Sequence, residues 1–184
     1  APGNRMAEIG LKRVNALSTS RVQNATNAQT VPATVACVKQ GTKYGPEYVN
    51  RLQSMARRNS EADLRFVCFT DDRTGLDDGI EVMPLPDHGF NGWWNKVSLF
   101  RDDLADLGER FLYFDLDVVL TGNIDQMLRY DSDFAIMDND YVPGFNTSVF
   151  LLKTGSRPDI RANFSQAIAN EYDGDQDWVA VMAP

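Results

Sequence analysis

The hydrophobic positions of this chain fall in short runs whose spacing alternates between that of strands and that of helices. Continuous apolar runs are typical of strands covered on both faces. Such runs predict strands over residues 33–38, 64–70, 80–82, 111–114, 134–137 and 148–152. Helical spacing predicts helices over 47–58, 94–107 and 159–172, a short helix ending near Tyr130, and a last helix opening at 173–178. This alternation predicts an α/β fold with a mostly parallel central sheet and helices on both faces.

Residues 1–30 differ in composition from the rest of the chain. They are rich in Asn, Ala, Ser and Thr with scattered Arg and Lys, and they offer few apolar side chains to bury. We therefore expect a polar N-terminal extension over 1–30 and one folded domain over 31–184. A chain of 184 residues with 43% hydrophobic content is long enough for one sizeable core and short for two.

Charge and histidine content narrow the possible functions. The formal net charge of −8 argues against nucleic acid or an anionic membrane as the main partner, because an acidic surface repels phosphate polymers. The single histidine, His88, argues against a histidine-rich zinc site and against most histidine-based triads.

The two cysteines and the hydropathy pattern indicate where in the cell the protein is expected. Cys37 and Cys68 both lie inside apolar runs, where cysteine behaves as a small buried hydrophobe, so we expect reduced core residues. No apolar stretch approaches the ~20 residues needed to span a bilayer, and the N-terminus lacks a signal pattern. We expect a cytoplasmic protein with no membrane span.

The strongest candidate for chemistry is a pair of carboxylates at the end of an apolar strand. Asp115 and Asp117 directly follow the run at 111–114. In open α/β sheets, ligands bind at the carboxyl ends of the strands, and hard oxygen ligands there suit Mg²⁺ or Mn²⁺ carrying a diphosphate. The alternative interpretation is a strand that runs into an acidic turn.

Four separated segments together resemble the glycogenin-like, family-eight glycosyltransferases. The segments, in order, are the helix bearing Lys96, Phe114-Asp-Leu-Asp117, Phe145-Asn-Thr-Ser-Val-Phe150 and Gly174-Asp-Gln-Asp177. The resemblance spans roughly residues 33–180. It implies a single GT-A-like domain that uses a UDP-sugar donor and Mn²⁺, or Mg²⁺ in its place.

The resemblance implies specific roles for the first of these residues. Asp115 and Asp117 would bind the metal, and Asp115 would also contact the nucleotide. Lys96 would add a second positive charge near the diphosphate. Without the other motifs, Lys96 would be interpreted as a surface lysine on an amphipathic helix.

The later segments would contact the sugar. The resemblance implies that Asn146 donates to or accepts from a donor-sugar hydroxyl, and that Asp175 and Gln176 lie nearest the reacting carbon and are catalytic. Each has a structural alternative. Asn146 could be a turn residue before a strand, and Asp175 and Gln176 could cap and begin a helix.

The exit of the first strand would hold the nucleotide, largely through backbone groups. The residues expected there are Val38, Lys39, Gln40 and Tyr44, with Asp71 or Asp72 accepting from the base or ribose unless they form a solvated turn. An exposed aromatic side chain beside a sugar site could stack on a pyranose, and Trp93 and Trp94 are both candidates. Because neighbours on a helix point about 100° apart, both cannot fill one pocket.

The sequence departs from the family at the third metal ligand. The family supplies a histidine from a C-terminal His-x-x-Gly-x-x-Lys-Pro-Trp segment, which these residues do not include. His88 lies upstream and is a poor substitute. We expect either that a C-terminal segment is lacking or that phosphate oxygens and water complete the coordination.

The expected function is metal-dependent transfer of a hexose from a UDP-sugar to a small-molecule, glycan or protein acceptor, with retention of configuration. Two alternatives stay open. Asp115 could be the nucleophile of a haloacid-dehalogenase-like phosphatase with Asp117 as acid/base, although that motif normally ends the first strand of its domain. The domain could also bind a nucleotide sugar without turning it over.

Overall fold

The computed structural model describes residues 32–86, 90–139 and 144–183. These residues form one compact unit. The predicted extension at 1–30 and His88 lie outside the described residues.

The described residues form a sheet of six strands, each at a predicted position. The strands are β1 (Ala33–Lys39), β2 (Leu64–Thr70), β3 (Ile80–Met83), β4 (Arg110–Phe114), β5 (Phe134–Asp138) and β6 (Phe145–Lys153). Their order across the sheet is β3-β2-β1-β4-β6-β5. The first four in this order are mutually parallel, whereas β6 is antiparallel to both β4 and β5. The predicted α/β fold with a mostly parallel sheet is therefore confirmed.

Helices surround this sheet, although two of the predicted helices are divided. The α-helices are α1 (Pro46–Arg58), α2 (Asp125–Leu128), α3 (Pro158–Ala162), α4 (Gln166–Ala169) and α5 (Asp175–Met182). The single helix predicted over 94–107 is wrong, because this region forms 3₁₀ helices at Gly92–Phe100 and Ala105–Leu107. All residues from 95 to 100 are buried, so packing on several sides, and not one amphipathic face, holds this segment.

The helix predicted over 159–172 ends after one turn and begins again. Asn163 ends α3, and Ser165 begins α4 by accepting a hydrogen bond on its Oγ from the Ile168 backbone N–H at 3.3 Å. A serine that caps a new helix competes with continuation of the previous one. The helical spacing of apolar residues continues across this break, so the sequence pattern does not predict it.

The sheet separates two hydrophobic layers, as helices on both faces require. On β4, Phe111 and Tyr113 face the layer that contains the 3₁₀ helices, α3 and α5, while Leu112 and Phe114 face the layer that contains α1 and α2. This is the period-two alternation of a strand covered on both sides. Phe150 of β6 joins the first layer, where its ring stacks on Tyr113 with centroids 4.7 Å apart.

The cysteine prediction is confirmed. Cys37 and Cys68 are free and buried, and they are register partners on β1 and β2. In the part of the chain that the structure describes, no helix is long and apolar enough to cross a membrane.

The connection from α1 to β2 is tied to the start of α2 by the carboxylate of Asp125. This carboxylate accepts from Ser60 Oγ at 2.5 Å, from the Glu61 backbone N–H at 3.2 Å and from Asn123 Nδ2 at 3.3 Å. The Ser60 hydroxyl is the largest cause that holds the pKa of Asp125 below its ordinary value. The ionised carboxylate of Asp125 therefore stabilises the folded state.

We expect Asp125→Asn to lower the melting temperature at pH 7, and the difference from wild type to shrink as the pH falls. The folded-state pKa is depressed, so the unfolded chain takes up its proton first, near an ordinary carboxyl pKa of about 3.9. The stabilisation is thus complete above about pH 5 and disappears as the pH falls through the lower folded-state pKa. Thermal melts from pH 7 to pH 3 measure it.

The matched control is Asp131→Asn, because the Asp131 side chain is fully exposed, at 101% of its reference area. This variant should follow the wild-type melting curve across the range. Equal melting temperatures for Asp125→Asn and wild type at pH 7 would contradict the prediction.

Candidate functional site

The site begins where β4 ends, and the alternation along the strand decides which way its first carboxylate points. Asp115 lies two residues after Tyr113 and therefore faces the same layer. The Tyr113 hydroxyl donates to Asp115 Oδ1 at 2.8 Å, and the Asp115 backbone N–H donates to the Ser148 carbonyl oxygen at 2.9 Å. Side chain and backbone of Asp115 are thus both held in place.

Lys96 of the first 3₁₀ helix lies at the centre of the site. Its Nζ is 3.1 Å from Asp115 Oδ2, 3.0 Å from Asp175 Oδ2 and 3.1 Å from Thr147 Oγ1. Thr147 Oγ1 in turn donates to Asp175 Oδ2 at 2.5 Å. The ammonium therefore connects the end of β4, the start of β6 and the first residue of α5 through its three donor hydrogens.

Burial and charge act against each other in this cluster. The Lys96 side chain is only 8% exposed, and this burial alone would lower its pKa, but the carboxylates of Asp175 and Asp115 outweigh it and raise the pKa. Burial raises the pKa of Asp175, and Lys96 and Thr147 offset only part of that effect. Burial, together with the Asp115 carboxylate, raises the pKa of Tyr113 well above its ordinary value. The tyrosine therefore stays a proton donor.

Asp117 has a different environment from Asp115. It is exposed, and its Oδ2 accepts from the Tyr44 hydroxyl at 2.8 Å. This bond, together with some burial, raises the pKa of Tyr44 to about 12. The Tyr44 ring lies edge-on to Tyr48 with centroids 4.8 Å apart, and Lys43 Nζ is 4.9 Å from the Tyr44 centroid. Tyr44 thus orients Asp117 from the segment that follows β1.

These groups surround a cavity of about 240 Å³ between the carboxyl ends of β1 and β4. Its lining consists of Val38, Gln40, Lys43, Tyr44, Gly92, Trp93, Lys96, Tyr113, Asp115, Leu116 and Asp117. Six residues predicted from sequence are therefore brought together: Val38, Gln40, Tyr44, Lys96, Asp115 and Asp117. Asp175 is joined to them through Lys96.

The other predicted nucleotide residues lie around the same sheet edge without lining that cavity. Lys39 is buried, and its Nζ donates to the Gly41 carbonyl oxygen at 3.3 Å. Asp71 is exposed after β2, and its carboxylate accepts from the Gly41 backbone N–H at 3.2 and 3.3 Å. Gly41 has a φ of +61°, which favours glycine. Asp71 thus fixes the turn after β1, and its contact with a nucleotide stays a prediction.

Asn146 and Gln176, which were predicted to contact the sugar, are both half-buried. Asn146 Oδ1 accepts from the Ser148 backbone N–H at 2.9 Å, which is the turn contact expected of its structural alternative. Gln176 lies in the first turn of α5, and Gly174, not Asp175, is the residue that precedes this helix as its N-cap. Sugar contacts by Asn146 and Gln176 stay predictions.

Sequence reasoning did not assign roles to Thr147 or Tyr113. Tyr113 could have been found, because strand alternation places it on the same face as Asp115. Thr147 lies in the segment 145–150 that carries part of the family resemblance, but its hydrogen bond with Lys96 joins residues 51 apart in the chain. No local pattern reports such a contact.

Asp115 and Asp117 are the candidate ligands for a hard divalent cation. The described residues contain no group of three or more His, Cys, Asp or Glu side chains arranged to hold a metal ion. Asp115 and Asp117 supply carboxylate oxygens, and Mg²⁺ commonly binds through one or two carboxylates with substrate phosphates and water completing its shell. The cluster around Lys96 also has an excess of carboxylates over ammonium groups, which favours a further cation.

No protein-family model matches this chain, and no curated protein sequence matches it. Solved structures of glycosyltransferases do resemble it. GlyE of Streptococcus pneumoniae TIGR4 superposes with a TM-score of 0.60 at 16% identity, over 83% of this chain and 43% of GlyE. The galactosyltransferase LgtC, in complex with donor and acceptor sugar analogs, superposes with a TM-score of 0.50 at 12% identity, over 79% of this chain and 63% of LgtC.

The chain spans less than half the length of GlyE, and the low identities mean that the likeness is one of fold. The described domain has the fold of these glycosyltransferases.

Proposed function

We propose that this protein is a metal-dependent hexosyltransferase that uses a UDP-sugar donor and acts with retention of configuration. The observation that carries the proposal is the cavity in which Asp115, Asp117 and Lys96 meet, with Asp175 bonded to the same ammonium. The shared fold with GlyE and LgtC supports it. Membership of the glycogenin-like family and of the GT-A class is part of the proposal.

The carboxylates of Asp115 and Asp117 would hold Mn²⁺, or Mg²⁺ in its place. When bound, the cation supplies Lewis-acid stabilisation of the negative charge that develops on the departing UDP. Tyr44 orients Asp117 for this role through its 2.8 Å hydrogen bond. The ammonium groups of Lys43 and Lys96, which line the cavity, add positive charge near the diphosphate.

Lys96 is also a positioning residue. Because it contacts both Asp115 and Asp175, it sets the metal-binding carboxylate and the start of α5 at a fixed separation. Asp175 and Gln176 would lie beside the donor hexose, with Asn146 contacting a sugar hydroxyl. Val38, Lys39, Gln40 and Asp71 would surround the nucleoside at the ends of β1 and β2.

Retention of configuration at the anomeric carbon determines the face on which the acceptor attacks. The acceptor hydroxyl attacks the anomeric carbon on the face from which UDP departs. The bond from that carbon to the acceptor oxygen forms while the bond to the diphosphate oxygen breaks, and a diphosphate oxygen takes the hydroxyl proton. The acceptor is a small molecule, a glycan or a protein.

The phosphatase alternative fits this topology less well. Its nucleophile normally ends the first strand of the domain, whereas Asp115 follows β4, the fourth strand in chain order. Release of phosphate from a generic phosphate ester, without binding of UDP, would restore that alternative.

We expect Lys96→Met to lower the free energy of unfolding by about 3–5 kcal/mol, because it leaves two carboxylates in a buried cluster without their cation. Urea unfolding measures this change. The double variant Lys96→Met/Asp175→Asn should recover part of the loss, since it removes the uncompensated buried charge. A change below about 1 kcal/mol in Lys96→Met would contradict the positioning role.

We expect Asp117→Ala to reduce UDP affinity in Mn²⁺ to the value measured without metal, while the fold is retained, because it removes the exposed metal-binding carboxylate. Isothermal titration of UDP with and without Mn²⁺ measures this. Asp131→Ala, at another exposed carboxylate, should behave as wild type. Unchanged Mn²⁺-dependent affinity in Asp117→Ala would count against the metal site.

We expect Gln176→Ala to slow UDP release from UDP-glucose or UDP-galactose by at least about tenfold, or about 1.4 kcal/mol of transition-state stabilisation. UDP affinity in Mn²⁺ should change less than about twofold, since Gln176 would contact the sugar and not the nucleotide. Gln166→Ala, at an exposed glutamine of α4, is the control.

Equal rates for Gln176→Ala and wild type would remove Gln176 from the reaction. If the wild-type protein binds UDP with Mn²⁺ but never releases UDP from either sugar donor, even with glycan and protein acceptors present, the domain is a binding module and the transferase proposal fails.

A further inference from the structure

Two adjacent tryptophans in the first 3₁₀ helix have different environments. Trp94 is partly buried and stacks on Phe164, with ring centroids 5.0 Å apart and planes at 28°. Trp93 is 52% exposed and lines the cavity that contains Asp115 and Asp117. Trp94 is thus a residue packed against the hydrophobic core, whereas Trp93 is an exposed residue of the candidate site.

The backbone that carries Trp93 is held in place from the end of β1. Gly92 has a φ of +60°, and its N–H donates to Gln40 Oε1 at 2.7 Å. Asn95 Nδ2 donates to the same oxygen at 3.0 Å. Gln40 therefore binds the segment on both sides of Trp93. An aromatic ring on a fixed backbone is a preorganised contact surface.

The indole also reaches toward the start of α5. A Cβ placed on Gly174 would lie 4.0 Å from Trp93 Nε1. Gly174 directly precedes Asp175, whose carboxylate is bonded to Lys96. Trp93 thus shares a cavity with Asp115 and Asp117, which the proposed function assigns to the diphosphate, and its Nε1 lies near the residue before Asp175, which the proposed function assigns to the sugar.

We propose that the exposed indole of Trp93 is the platform on which the pyranose ring of the donor hexose stacks. A pyranose has a face of C–H groups that can cover an aromatic ring while its hydroxyls keep their hydrogen bonds, and the apolar area removed from water stabilises the contact. The inference rests on the proposed function, because it assumes that the same cavity binds a UDP-sugar.

The position of Trp93 favours the sugar over the uracil base as its partner. The nucleoside is expected at the ends of β1 and β2, where Asp71 and the Gly41 turn lie. The backbone around Trp93 is also held from the end of β1 through Gln40, but its indole Nε1 lies near Gly174, the residue before Asp175. Stacking of the uracil base on Trp93 is the alternative that the experiment must distinguish.

The first measurement is isothermal titration of UDP, UDP-glucose and UDP-galactose in Mn²⁺. For a UDP-hexose that the wild type binds, we expect Trp93→Ala to weaken affinity about tenfold and UDP affinity to change less than about twofold. Trp93→Phe keeps an aromatic face and should stay within about threefold of wild type. Tyr130→Ala removes an aromatic side chain that is 46% exposed, in a segment bonded to the opposite end of β4, and should change nothing.

The second measurement is acrylamide quenching of tryptophan fluorescence, which does not depend on turnover. Trp93 is the most exposed of the three tryptophans. A bound UDP-hexose should therefore protect part of the emission from acrylamide, whereas UDP alone should protect little. The protection should be absent in Trp93→Phe.

The outcomes separate this inference from the proposed function. Equal protection by UDP and UDP-hexose, or an equal loss of affinity for both in Trp93→Ala, would assign Trp93 to the base and overturn the inference. Wild-type protein that binds UDP with Mn²⁺ but neither UDP-hexose, or that loses no hexose affinity in Trp93→Ala, also overturns it while the metal site stands. Absence of Mn²⁺-dependent UDP binding in the wild type defeats the proposed function itself.

Discussion

The arrangement of the site depends on the buried ammonium of Lys96. A charge with little access to water is tolerated only when it is paired and hydrogen-bonded. Here the pairing uses Asp115 at the end of β4, Thr147 at the start of β6 and Asp175 at the start of α5. Three elements distant in sequence must therefore converge on one point. Because Asp115 and Asp175 must both reach the Lys96 ammonium, this pairing fixes the separation of their carboxylates.

The same convergence leaves the site short of positive charge. The site holds three carboxylates, those of Asp115, Asp117 and Asp175, against two ammonium groups, those of Lys43 and Lys96. Oxygen donors in excess of nearby cations are suited to a divalent metal, and a metal that keeps open positions is suited to phosphate. The charge balance of the cluster is therefore one that the proposed metal, with an anionic ligand, would complete.

The sheet order explains why the cavity opens where it does. The chain passes from β1 outward to β2 and β3, and later returns to place β4 on the other side of β1. Loops that leave β1 and β4 diverge at such a switch point, and ligands of α/β proteins bind in the resulting crevice. Gln40 follows β1 and Asp115 follows β4, so the cavity occupies this crevice. Gln40 also anchors the segment that carries Trp93 across the opening.

The sequence by itself determined the six strands and the position of the carboxylate pair, because strand patterns and strand ends are local properties. It did not determine the conformation of 92–107, where burial on several sides replaced a single helical face. It also could not distinguish Trp93 from Trp94, or show that Lys96 is buried between two carboxylates. Those features depend on contacts between residues tens of positions apart, and only the tertiary structure, which sets those distances, could decide them.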